Sequence, residues 1–236
     1  MPPEPDRAPL QTQATERSAA WALLPVAATV GYHLLPASIQ EQAFIQFTPQ
    51  VLAYLTLSCW AARNTAILPR LGLEQDKVTG GLRLGLLTGL LLGGLNTLVI
   101  LSAYPSLGFD ILFLKTTPHG QLPPMLMVPW VIVGIALFVE LNFRGFLLGR
   151  LASIEAGWWH SAVIRRFSPL ALLTSALTFA FDPFMVNTFR HLHWIAVWDG
   201  LIWGTIWVRT RNLYVTIVAH AVEVTVMYLA VKTTIG

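Results

Sequence analysis

Glu140 and Arg144 stand four residues apart, and His220 and Glu223 three apart. On a helix each pair shares a face. A carboxylate that can accept a proton, beside a histidine that can hold a water or an oxyanion, is the equipment for activating water. Spacing alone also allows Glu140 and Arg144 to be an ion pair that closes a helix end. Two more acids, Asp182 and Asp199, and the pair His191 and His193 fall in the same C-terminal half.

The surrounding segments determine what such residues can do. The chain has 236 residues, 55% apolar and only 11% charged, with net charge +3. A soluble domain carries roughly 25% charged residues, so this composition points to a polytopic membrane protein. A single cysteine, Cys59, excludes a disulfide scaffold, and the same composition excludes a nucleic-acid module, a disordered chain and a coiled coil. Residues 18–40, 42–62, 84–109 and 116–139 contain no Asp, Glu, Lys or Arg. A bilayer core needs roughly 20 apolar residues, and the expected spans are 19–38, 43–62, 84–104, 125–146, 169–188, 193–208 and 213–231. The expected fold is therefore all-α with about seven transmembrane helices. Residues 1–18 are expected to form a disordered, Pro-rich cytoplasmic tail, and 19–236 one transmembrane domain.

Basic residues orient it. Twelve of the 15 Lys and Arg fall in alternate compartments that begin with the N-terminus, and only Lys115, Arg190 and Lys232 fall in the others. The positive-inside rule places the N-terminus in the cytoplasm and the C-terminus outside. Segment 149–168, with Trp158, Trp159 and His160 ahead of Arg165 and Arg166, suits the membrane interface. Gly81, Gly85, Gly89 and Gly93 recur every four residues, a groove for close packing against another helix, with packing inside the chain favoured over self-dimerisation.

Against this background the acids stand out. The first three spans carry none, and each of the last four carries one: Glu140, Asp182, Asp199 and Glu223. An ionisable group in the bilayer costs at least about 2.5–3.5 kcal/mol on insertion scales, so it faces a polar interior. At about 1.5 Å per residue, Glu140 and His220 both lie about 10 Å from the cytoplasmic end and can meet. His191 and His193 fall nearer the outer face.

Three stretches carry a family resemblance. Val139-Glu140-Leu141-Asn142-Phe143-Arg144-Gly145 resembles the Glu-Glu-x-x-x-Arg-Gly motif of the CAAX-protease and bacteriocin-processing (CPBP, or Abi) intramembrane proteases. Phe179-Ala180-Phe181-Asp182-Pro183 is similar to their Phe-x-x-x-His motif. His220-Ala221-Val222-Glu223-Val224 is similar to their His-Ala-x-x-Asn motif. Order and spacing agree across 125–231. The resemblance implies an embedded endopeptidase in which glutamate and histidines activate water near the cytoplasmic side. Glu140, Arg144 and His220 match directly. Val139, Pro183 and Val224 stand where the family has Glu, His and Asn, and each has an ionisable neighbour: Glu140, Asp182 and Glu223.

The expected activity is hydrolysis of a membrane-associated peptide or C-terminal signal. Glu140 would act as base, His220 as water or oxyanion partner and Arg144 as the group fixing Glu140. Asp182 and Glu223, and more weakly His193, would complete the set. The alternatives are an inactive scaffold or immunity-type relative, and a small transporter or haem-binding membrane protein. A zinc ion would need three or four convergent ligands. His220 and Glu223 supply two on one helix, so a divalent metal such as zinc stays open but is not the favoured reading, and no other cofactor is expected. Membrane lipid and a peptide substrate are the expected partners, nucleic acid is not, and the expected location is a bacterial cytoplasmic membrane.

Overall fold

The computed structural model describes residues 18–159 and 167–235. Within them every regular element is helical, and there is no strand. Of the tail expected over residues 1–18, the first 17 residues lie outside the described ones, as do His160, Arg165 and Arg166 of the expected interfacial segment. Three helical stretches are long and apolar enough to cross a membrane: Ile67–Ser106, Pro124–Trp158 and Leu213–Ile235. A bent pair, Pro169–Ala180 with Pro183–Thr210, makes a fourth if it is one span.

The first two expected spans differ from this picture. Helix α1, Leu23–His33, follows a single 3-10 turn at Ala19–Ala22 and has 11 residues. Pro36 cannot continue the α1 hydrogen-bond ladder, and it disfavours the α region at Leu35. Helix α2, Ala43–Arg63, has the expected length and accommodates Pro49. Tyr32 Oη donates to the Gln40 carbonyl at 3.2 Å, closing the turn that folds α2 back on α1.

Helix α3, Val78–Leu98, continues through a π turn at Val99–Ala103 to Ser106. Its glycine row is filled by α8, Leu213–Ile235. A Cβ at Gly89 would lie 2.6 Å from the Ala219 carbonyl and 2.7 Å from the Val222 Cβ. One turn on, a Cβ at Gly93 would lie 2.9 Å from Val226 and 3.1 Å from the Glu223 Cα. Successive glycines meet successive turns of α8 in the same order, so the two helices run parallel. Asn212 starts them together: its Oδ1 accepts from Tyr214 N at 3.1 Å, and its Nδ2 donates to the Lys77 carbonyl at 2.8 Å. The glycine groove is thus occupied within the chain. The opposite side of α3 exposes Leu82, Leu86, Leu87, Leu90, Leu91, Leu95 and Leu98. So large an apolar face suits lipid rather than water.

Helix α4, Pro124–Trp158, is interrupted by π turns at Met127–Ile132 and Leu141–Leu148. The second begins directly after Glu140, and π turns inside α-helices frequently mark functional sites. Helix α5, Pro169–Ala180, stops at Phe181. Asp182 then caps α6, Pro183–Phe189, accepting from Phe184 N at 3.0 Å. The expected span 169–188 is therefore broken, because Pro183 has no N–H to donate and suits the first position of a new helix. Helix α7, Ile195–Thr210, follows a 3-10 turn at Arg190–Trp194. It lies against α5, with Gly200 on Ala176 and Gly204 on Leu172. The main core lies between α4, α5 and α7, around Phe146, Leu147, Leu148, Trp207 and Leu213.

Candidate active site

Two polar clusters hang from neighbouring turns of α8. In the first, Glu140 Oε1 accepts from Arg144 Nη1 at 3.0 Å and bonds His220 Nδ1 at 2.9 Å. Glu140 and Arg144 are completely buried, at 0% and 1% exposure. Arg144 lies between two aromatic rings, 4.6 Å from the centroid of Phe179 and 5.1 Å from that of Trp203. Trp203 also stacks on His220 at 4.8 Å. Such packing holds an arginine whose charge water cannot reach, since ring faces attract a desolvated cation. With Nδ1 committed to Glu140, His220 keeps Nε2 for another partner.

The second cluster joins α3, α7 and α8. Asn96 Nδ2 donates to Asp199 Oδ1 at 3.1 Å and Oδ2 at 3.2 Å, and to Glu223 Oε1 at 2.5 Å. Trp198 Nε1 donates to Asn96 Oδ1 at 3.0 Å. That donor fixes which end of the amide is nitrogen. The two carboxyl groups thus share one amide donor, Asn96 Nδ2. All three polar residues are buried.

A cavity of about 820 Å³ opens beside both clusters. His220, Glu223, Asp199 and Asn142 line one part of it, and Asp182 with Gln50 another. Much of the remaining wall is apolar or aromatic, including Phe138, Phe143, Phe179 and Ile195. Val139 and Val224 also face this volume. Glu140 and Arg144 stand behind His220 and form no part of the wall.

The structure therefore brings Glu140, Arg144 and His220 together, with Glu223 one turn further along α8. Asp182 reaches the same cavity but serves first as the α6 cap, and it accepts from Gln50 Nε2 at 2.8 Å. His193 lies apart: its ring packs on Phe181 and Trp194, and its Nδ1 bonds the Arg190 carbonyl. His191 stacks between Tyr104 and Phe109, also away from the cavity. Asp199 and Asn96 join the site from outside the expected catalytic set. Asp199 had a visible signal, as an acid inside a span. Asn96 had a weaker one, a lone amide three residues beyond the last glycine of the row. Among the described residues, no three or more His, Cys, Asp or Glu side chains are grouped to hold a metal ion.

The fold and site define a membrane protein with helices apolar enough to span, a buried Glu–Arg–His cluster and a largely apolar cavity. Residues 121–226 match the family model of the Rce1-like type II CAAX prenyl endopeptidases, bearing out the resemblance read from the three motifs. That family is one of proteases. No curated protein and no solved structure matches the chain.

Proposed function

We propose that the chain is an intramembrane endopeptidase that hydrolyses a membrane-associated peptide at the His220 wall of the cavity. The observation carrying this reading is the juxtaposition of a buried Glu140–His220 bond with an apolar cavity onto which His220 opens. With Nδ1–H donating to Glu140, Nε2 of His220 keeps its lone pair and is placed to accept a hydrogen bond from the attacking water. Glu140, behind the ring, acts as a positioning residue: its bond to Nδ1 sets the tautomer and the ring plane, as orienting carboxylates do. Arg144 balances that carboxylate. The apolar walls suit a lipidated or apolar peptide end, in keeping with the prenyl substrates named for the matching family. Three features support reading the chain as multi-pass with a cytoplasmic N-terminus: the charge alternation, the parallel course of α3 and α8, and the apolar outer face of α3.

The test uses the full chain in phosphatidylcholine vesicles. The probe is a quenched fluorescent peptide with a farnesylated C-terminal Cys-aliphatic-aliphatic-X sequence. Cleavage by the wild type and a fall in kcat of about 10²–10⁴-fold in His220→Ala are expected, the range for one acid–base group. A His220→Ala protein that cleaves as fast as the wild type would refute the site.

A further inference from the structure

The loss of motif residues leaves a chemical gap. The position of the family's first glutamate is Val139, and Val139 looks into the cavity. Glu140 does not replace it there, because its carboxylate points into the protein and is bonded to His220 and Arg144. Hydrolysis of an amide still needs a group that takes a proton from water and one that gives a proton to the product amine.

We infer that Asp199 and Glu223 are that acid–base pair, one proton shared between them, with Asn96 as the residue that positions both. The inference rests on the endopeptidase reading above and assigns its reacting groups. Asp199, 4% exposed, and Glu223, fully buried at 0%, are lining residues of the cavity next to His220, on two different helices that Asn96 ties to a third. Two ionised carboxylates held on one amide nitrogen repel strongly in a medium of low polarity, and the stable arrangement has one proton between them. A second observation points to a peptide ligand at the same place. Asn142 Oδ1 and Trp203 Nε1 are buried polar atoms without a hydrogen-bond partner, and both residues line the cavity. One is an acceptor and the other a donor, the complement of a peptide N–H and C=O.

The step balances as follows. The ionised carboxylate takes a proton from water as the water oxygen bonds to the scissile carbonyl carbon. The protonated carboxyl gives its proton to the carbonyl oxygen, which yields a gem-diol and leaves the pair still holding one proton. On collapse that proton passes to the departing amine nitrogen, the C–N bond breaks, and one gem-diol hydroxyl returns a proton to the pair. The products are a carboxylic acid and an amine, and the pair regains its starting state. His220 holds the attacking water through its Nε2 lone pair, and the proton count closes within the pair and the substrate.

Two readouts on the full chain in vesicles test this. The first is infrared spectroscopy of the protonated-carboxyl C=O stretch, which needs no substrate. A band near neutral pH that disappears in both Asp199→Asn and Glu223→Gln is expected. The second is cleavage of the farnesylated peptide: each substitution lowers kcat by about 10²–10⁴-fold with KM little changed. Asn96→Ala lowers kcat less, and Asn96→Gln restores part of it. Wild-type cleavage that persists within about threefold in Asp199→Asn and Glu223→Gln overturns the pair and leaves the endopeptidase reading standing. Absence of cleavage by the wild type, with the infrared band present, overturns the endopeptidase reading and the catalytic role of the pair with it.

Discussion

The two clusters on α8 are one turn apart and built to opposite specifications. Glu140, Arg144 and His220 come from recognisable motifs, and two of the three are sealed from solvent and cavity alike. Asn96, Asp199 and Glu223 come from outside the matched motif positions; they too are buried, but their two acids are among the residues that line the cavity. The sealed cluster is close to charge balance, because Arg144 sits on Glu140 and between two rings. The open cluster has two acids bridged by one neutral amide. The difference teaches that motif residues can act as framework. They hold His220 at the wall, while the groups able to exchange protons with a substrate stand beside it.

The strongest way to break this contrast is to remove the cation of the sealed cluster. Arg144→Met leaves Glu140 as a buried charge without its counterion and is expected to destabilise the protein by about 3–5 kcal/mol. Adding Glu140→Gln should recover most of that loss, as read by denaturant unfolding in detergent. No recovery in the double variant would show that Arg144 acts through its packing on Phe179 and Trp203 rather than through Glu140.

A smaller effect is expected from the groove that sets the distance between the clusters and α3. Gly89→Leu places a side chain against the Ala219 carbonyl and Val222. Overpacking of this kind costs about 1–3 kcal/mol. It should also slow peptide cleavage, because it displaces the α8 turn that carries His220 and Glu223. Gly94→Leu on the same helix meets nothing within 4 Å and should leave both readouts unchanged.

The smallest effect concerns the rim of the cavity. His119 lies in the helical turn Pro118–Gln121 ahead of α4, packs against Phe184 and Phe189, and lines the cavity. Burial lowers its pKa. The unfolded chain therefore binds the proton more readily, so the contribution of His119 is complete above the unfolded pKa, about 6.5, and declines as pH falls below it. A modest loss of stability below that pH, absent in His119→Phe, is expected from thermal unfolding across pH.

Much of this was legible in the sequence, for physical reasons. Long uncharged segments can only be apolar helices, and the four-residue glycine period can only be a groove, which α8 fills. Glu140 and His220 could be placed at one depth from rise per residue alone, and they are bonded. Other features lay beyond that arithmetic. Helix α1 stops after 11 residues, and the fifth span breaks at Asp182. Proline and cap chemistry dominate there, over hydropathy. Asn96 becomes part of the site only because Gly93 lets α8 come close, a tertiary fact that a lone asparagine in a leucine-rich segment does not announce.

The most direct measurement is the steady-state cleavage of the farnesylated peptide by the wild type and by His220→Ala, in vesicles and under identical conditions. The account predicts measurable turnover in the first and a loss of about 10²–10⁴-fold in kcat in the second. Equal rates in the two proteins, or no cleavage by the wild type, would contradict it.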